Sequence, residues 1–371
     1  MIPLCVPEIK GNEWKYIKEC LDTNWVSSVG SYVDKFERDF AKFVGANSAV
    51  VTVNGTSALH LALKVLGIEE GDEVIVPSMT FIAPVNAVKY VGAEPVFVDI
   101  CRDTFVMDAE KIEELITPKT KAILPVHIYG NIVDMDKVME IASKYNLYVI
   151  EDATESLGSL YKGKNTGTIG HFGCFSFNGN KLITTGAGGM LVTNDKELSE
   201  RAKFLSTQAK VTLENKGFYH TDIGFNFRMP NILAAMGCAQ LENIEEYIEI
   251  KRKNAFIYNE LLKDIKNITL QIEKPETKNV FWLYSILIED GFSVSRDELI
   301  KIMYEAGIET RPFFTPVHTM PPYLNCRCGD LSVTQEVSSK GINLPSSVSL
   351  KQEDIEKVCV VIKVKSFSMG N

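Results

Sequence analysis

Four short segments carry side chains whose types and spacing could do chemistry: Asn54-Gly55-Thr56-Ser57, Glu151-Asp152, Lys181, and the run TTGAGG just after that lysine. The first lies where the β-branched run SAVVTV gives way to a helical stripe of Leu59, Ala62, Leu63 and Leu66. Free N–H groups and the helix dipole at such a junction favour an anion. Gly55 permits close approach, and the Thr56 and Ser57 hydroxyls add donors. The same residues also suit an ordinary capped helix start. The segment has neither the GK[ST] of a Walker loop nor GxGxxG. Glu151 and Asp152 close the run LYVIEDA, where a carboxylate is either functional or a helix cap. Lys181 follows the aromatic run FGCFSF and precedes glycines that expose backbone. A lone lysine is ordinarily a solvated charge; in this setting a half-buried amine able to form a Schiff base is the alternative.

Together the segments describe one chemistry. A phosphate cup, a carboxylate and a lysine are the three attachments pyridoxal phosphate requires. The carboxylate keeps the pyridine nitrogen protonated so that the ring acts as an electron sink, and the lysine holds the aldehyde.

Such groups need strand ends to stand on. SAVVTV, EVIVPS, EPVFVDI, KAILPVHIYG and LYVIEDA read as strands separated by the helical stretches ALHLALKVLGI, PVNAVKYVG, AEKIEELIT and MDKVMEIASKYN. Runs apolar on both faces and separated by helices predict an α/β fold, with a mostly parallel sheet covered on both sides. FGCFSFN and GGMLVTN leave little room for a helix between them, which predicts an antiparallel or mixed edge. A helical region spans about Asn231 to Ile265. Beyond it FWLYSILIED, SRDELIKIMYEAGI, ETRPFF and EDIEKVCVVIKVKSF alternate strand and helix. The expected division is 1–245 as a large domain and 246–371 as a small α/β domain.

The 371 residues are 45% hydrophobic with a net charge of −9, which gives no support to nucleic-acid binding. No basic, apolar leader opens the sequence and no long uncharged apolar run occurs, so a soluble cytoplasmic protein without membrane association is expected. Eight scattered cysteines predict reduced thiols; Cys326 and Cys328 alone are close together. His60, His171 and His220 lack metal-ligand spacing, and no metal is expected.

The blocks NGTSALHLAL, PSMTFIAPVNAV, EPVFVDI, PVHIYGN, VIEDATESLGS, FSFNGNK, TTGAGGM, GFNFRMPNILAAMGCAQLE and ETRPFFTPVH occur in this order over nearly the whole chain. In them the sequence resembles the sugar-nucleotide aminotransferases grouped as DegT/DnrJ/EryC1 proteins, of the aspartate aminotransferase fold type I. The resemblance implies a mixed seven-stranded sheet between helices and pyridoxal 5'-phosphate as cofactor. Lys181 matches the Schiff-base lysine and Asp152 the partner of the pyridine nitrogen. Thr56, Ser57 and Ser176 match phosphate ligands beside Gly55, and Phe81 matches the residue stacked on the ring. Asn226 matches an asparagine that reaches the neighbouring subunit's cofactor phosphate, which implies a homodimer with composite sites. Glu155 stands where many relatives carry His or Gln near the cofactor's phenolic oxygen, and Ala187 where many have TTGEGG.

FSFNGNK, STQAK, CAQLE and ETRPFFTPVH look most like enzymes that aminate C4 of a UDP-linked 2-acetamido-2,6-dideoxy-4-ketohexose in bacillosamine and legionaminic acid pathways. L-Glutamate would be the donor, Lys181 would shuttle the proton, and the product would enter surface glycans. Trp25, His127, Tyr129, Arg311 and His318 are candidate substrate contacts, each with a packing or surface role as the alternative. GDP- or dTDP-linked keto sugars are alternative acceptors, and a non-catalytic sugar-nucleotide-binding module is the alternative from another class. Retention of both Lys181 and Asp152 opposes the module, and Lys181 opposes a sugar dehydratase, which carries histidine there. Arg311 leaves an amino-acid aminotransferase open.

Overall fold

Seven apolar runs pair into one sheet in the computed structural model, which describes residues 1–213 and 216–366. In chain order they are β1 (Ser48–Thr52), β2 (Glu73–Pro77), β3 (Glu94–Val98), β4 (Thr120–Ile123), β5 (Tyr148–Asp152), β6 (Phe172–Ser176) and β7 (Gly189–Thr193). Across the sheet the order is β1, β7, β6, β5, β4, β2, β3. From β3 to β6 all pairs are parallel, whereas β7 runs against both its neighbours. The short link between β6 and β7 allows no crossover helix and so dictates that reversal. The reversed strand is not at the edge, however. It lies one place in, because β1 pairs along its other side from Ser48↔Thr193 to Thr52↔Gly189.

The helices before the small domain are α1 (Glu13–Asp22), α2 (Ser31–Val44), α3 (Gly55–Val65), α4 (Ala83–Tyr90), α5 (Met135–Tyr145), α6 (Lys196–Ser206) and α7 (Asn231–Leu241). Phe36 and Phe40 of α2 explain the aromatic run before Lys181: their rings lie 5.1 Å from Phe177 and 5.0 Å from Phe175 respectively. Alternation along β6 then turns Ser176 to the opposite face from Phe175. AEKIEELIT, expected as a helix, forms two 3-10 turns, Ala109–Lys111 and Glu113–Leu115. Only Asp108 caps the segment, and Pro118 follows too soon for a longer helix.

The helical region after Asn231 is broken at Glu242–Asn243, where α8 (Ile244–Leu262) begins. Three further helices, α9 (Arg296–Glu305), α10 (Ser332–Lys340) and α11 (Gln352–Ser366), accompany a second sheet. Its strands lie in the order Ile268–Leu270, Tyr284–Ile288, Gly341–Leu344 and Arg311–Pro312, all antiparallel. This part has its own core, in which Tyr258 stacks on Tyr284 at 4.6 Å among Leu262, Ile286, Met303, Ile342 and Ile355. On that ground we propose the 1–245 and 246–371 division, which several contacts cross: Phe313, Val317 and Val337 pack into the first core, and Ile2 packs into the second and donates its N–H to Gly307 O at 2.7 Å. Buried Asp99, just past β3, also ties the two parts together, accepting from the Thr334 N–H at 2.8 Å and from Lys111 at 2.8 Å.

No helix among the described residues is long and apolar enough to cross a membrane. All eight cysteines are free thiols.

Candidate active site

The carboxyl ends of β1, β2, β5 and β6 open onto a cleft of about 330 Å³. At its floor α3 begins: Asn54 Oδ1 accepts the Ser57 N–H at 2.8 Å, and the N–H groups of Gly55 and Thr56 have no intrahelical acceptor. A side chain at Gly55 would put its Cβ 3.0 Å from Ser176 Cβ and 3.2 Å from Thr154 Cγ2. Gly55 therefore keeps the helix terminus close to the end of β6. Thr56 and Ser176 line the cleft with it.

On the same cleft stand Lys181, Glu155 and Asp152. The Lys181 Nζ is 3.5 Å from Glu155 Oε1, and the pair is largely withdrawn from solvent, at 13% and 5% side-chain exposure. Glu155 also accepts the Tyr129 N–H at 3.0 Å. Burial raises the Glu155 carboxyl above its usual range, with the Lys181 charge opposing. Asp152 is raised by burial too, opposed by its hydrogen bonds to Thr154 and then by Lys181. The segment from Lys181 to Gly188 is a return bend fastened at both ends. Phe177 N–H donates to Gly188 O at 2.9 Å, Thr185 N–H to Phe177 O at 3.0 Å, and Thr184 N–H to Gln240 Oε1 at 3.2 Å. Ala187 lines the cleft and accepts from Thr185 Oγ1 at 2.7 Å, but nothing in the structure explains why alanine stands there.

These groups suit pyridoxal phosphate: a buried acid, a half-buried amine and a glycine-cleared helix terminus share one cleft, and Phe81, 56% exposed, flanks it. Arg311 lies at the rim beside Phe314.

The remaining predicted residues are placed elsewhere. His127 is fully buried and donates from Nε2 to Glu151 at 3.1 Å while Nδ1 accepts the Val133 N–H. Glu151 also takes the N–H groups of Gly167, Ile169 and Gly170, so it faces away from the cleft and fastens a turn. Tyr129 is also fully buried; its hydroxyl accepts the Phe314 N–H at 3.2 Å and its ring stacks on Phe314. The expectation that His127 and Tyr129 meet substrate is corrected: both lie beneath the cleft wall. Ser57 is 9% exposed and outside the cleft lining. It is the third residue of α3, in the first turn, where its N–H is taken by the Asn54 cap. His318 bonds Ser78 Oγ at 2.6 Å and, like Trp25, does not line the cleft. Asn226 is exposed and lies outside its own chain's cleft.

Two residues escaped the sequence reading. Trp282 lines the cleft with its ring centroid 4.1 Å from Lys181 Nζ; its signal was an aromatic pair opening a strand of the other domain. Arg228, two residues past Asn226, keeps a buried Nε with no hydrogen-bond partner among the described residues. A larger open groove of about 620 Å³ beside Arg252 and Phe256 on α8 is remote from the lysine, and among the described residues it has no comparable buried acid–amine pair at its base.

The model of the DegT/DnrJ/EryC1/StrS aminotransferase family matches residues 7–363. The chain is 45% identical over 365 residues to the GDP-perosamine synthase of Caulobacter vibrioides, covering 97% of both. It is 47% identical over 361 residues to the GDP-perosamine synthase of Escherichia coli O157:H7, covering 96% of both. Among solved structures, the aminotransferase TlmJ from Streptoalloteichus hindustanus is similar at a TM-score of 0.94 and 26% identity, covering 100% of both chains. Helicobacter pylori PseC, an aminotransferase involved in the biosynthesis of pseudoaminic acid, is similar at 0.93 and 27%, covering 99% of both.

Proposed function

The chain belongs to the DegT/DnrJ/EryC1/StrS aminotransferase family as a pyridoxal phosphate-dependent sugar aminotransferase, and from that membership we propose that it moves the amino group of L-glutamate to the C4 ketone of a GDP-linked 4-keto-6-deoxy sugar. The observation that carries this reading is the pair of relatives named GDP-perosamine synthase, at 45% and 47% identity over nearly the full chain. It takes the place of the UDP-linked acceptor suggested by the sequence blocks. FSFNGNK surrounds the lysine that an aminotransferase needs whatever nucleotide its acceptor carries, so it reports weakly on the nucleotide.

When bound, pyridoxal phosphate supplies an electron sink for the carbon that loses its proton. In this reading Lys181 would take that proton on Nζ and return it to the carbon two atoms away, across the transferred nitrogen, and Glu155, 3.5 Å from Nζ, would hold the amine in line. Asp152 would hold the ring nitrogen by a charge-assisted hydrogen bond, its burial keeping water from competing. Gly55, Thr56 and Ser176 would hold the phosphate at the α3 terminus, and Phe81 would cover the ring. Arg311 at the rim offers its cation to an anionic group of either substrate. Asn226 and Arg228, outside their own cleft, serve the cleft of a second copy in a homodimer.

The test is amine transfer from L-glutamate to GDP-, UDP- and dTDP-linked 4-keto-6-deoxy sugars and to simple 2-oxo acids. The GDP-linked sugar should lead by about tenfold or more in kcat/KM. A lead for UDP overturns the nucleotide assignment, and turnover with 2-oxo acids alone overturns the sugar acceptor.

A further inference from the structure

Among the described residues, Lys251 is a buried lysine with no acid partner. It lies on α8 at 3% exposure. Burial lowers its pKa, with the Cys5 thiol as the one opposing influence. Its hydrogens go to two main-chain oxygens, Trp282 O at 2.5 Å and Ser346 O. These carbonyls sit on the segments flanking two paired strands of the small sheet, Tyr284–Ile288 and Gly341–Leu344, and Tyr284 N–H joins them by donating to Ser346 Oγ at 2.8 Å. A buried lysine of this kind survives only where its hydrogens are taken up, and without it both carbonyls would lose a donor.

The Trp282 side chain extends into the active site. Its indole N–H donates to Asn180 O at 2.8 Å, the carbonyl just before Lys181. The Cys5 thiol donates to that same oxygen at 3.2 Å. The ring face lies 4.1 Å from Lys181 Nζ, on a cation-attracting surface. One residue therefore meets Lys251 through its carbonyl and the reacting amine through its ring.

We infer that Lys251 is a positioning residue for transamination, fixing the main chain at Trp282 so that the indole forms the wall on which the Lys181 amine rests whenever it is not joined to the cofactor. Neither residue exchanges protons with substrate; both limit where Nζ can go. Displacing a reacting group by about 1 Å costs on the order of a hundredfold in rate, so loss of the wall should appear in kcat. The inference rests on Lys181 as the reacting amine, which Lys181→Ala tests separately by abolishing transfer.

The test uses the full-length protein with Lys251→Met, Trp282→Leu, Trp282→Phe and the double variant K251M/W282L. In cofactor-free protein, the emission of Trp282 is isolated by difference against Trp282→Phe. Lys251→Met should shift it to the red and raise its quenching by acrylamide about twofold. In loaded protein, Lys251→Met and Trp282→Leu should each lower kcat about tenfold to a hundredfold with KM for glutamate within about twofold. The double variant should be no slower than the slower single variant, because both act through one wall. If Lys251→Met does not fold, Lys251→Gln, whose amide still offers two hydrogens one bond short, takes its place with a smaller loss of the same kind. Wild-type Trp282 emission in a folded Lys251 variant, multiplying losses in the double variant, or an effect confined to melting temperature would each overturn the inference.

Discussion

Glu155 and Lys181 face each other across 3.5 Å in a cleft where both are largely shielded from solvent, and the carboxylate is anchored from behind by the Tyr129 N–H. That anchor makes Glu155 a fixed reference for a mobile amine. Glu155→Gln keeps an oxygen for Tyr129 and removes the charge facing Nζ. We expect the rate of the glutamate half-reaction to fall about tenfold to a hundredfold, with the melting temperature of the cofactor-free protein little changed. Single-turnover absorbance of the bound cofactor is the measurement, and an unchanged rate would remove Glu155 from the mechanism.

Asp152 supplies a prediction with a definite sign. Burial raises its carboxyl above the ordinary range, so folded protein binds a proton there more tightly than the unfolded chain. The contribution to stability is full below the unfolded value of about 3.9 and falls as pH rises through the raised folded value. Asp152→Asn abolishes that fall. Without cofactor, the variant should melt above wild type near neutral pH by about 2 °C or more, and the gap should close near pH 4. A gap independent of pH would place its origin elsewhere than in the buried charge.

Gly55 makes a steric prediction. A Cβ there would press on Ser176 at 3.0 Å and Thr154 at 3.2 Å, moving the helix terminus from the end of β6. Gly55→Ala should weaken pyridoxal phosphate binding about tenfold or more, read by fluorescence titration of cofactor-free protein. Equal affinity would mean that the cradle tolerates the shift.

Composite sites can be tested by mixing. In a pair joining a Lys181→Ala copy to an Asn226→Ala copy, one cleft carries both defects and the other neither. Random reassociation should therefore restore about a quarter of wild-type activity. Confirmed mixed dimers with no recovery would assign Asn226 to another role.

The parts of the fold legible in the sequence were those governed by local pattern. The seven strands could be read because each is an apolar run bounded by turn residues. The reversal of β7 could be read from the missing helix, but its neighbour could not: β1 pairs with β7 across the intervening strands, and no local signal records that. The same division runs through the site. Asp152 ends β5 and Lys181 follows β6 in the loop before β7, positions that their own flanking residues define. Trp282 lies far along the chain from Lys181 and reaches it only through tertiary packing in the large core. His127 and Tyr129 failed as substrate contacts for the converse reason. Position at a strand end was visible, but the direction each side chain takes was not, and Glu151 and Phe314 hold them below the surface.

The bend between Lys181 and Gly188 has a consequence for protein engineering. Because β7 enters the cleft by its beginning and the bend is held to Phe177 by Thr185 and Gly188 and to Asn178 O by the Lys181 N–H, the loop gives the amine a leash of fixed length. The side chain can swing on its methylenes while the backbone beneath it stays still. Lengthening this loop by a residue would change the reach of the amine without disturbing the sheet. That makes it a segment where the travel of the nucleophile can be adjusted separately from the stability of the core.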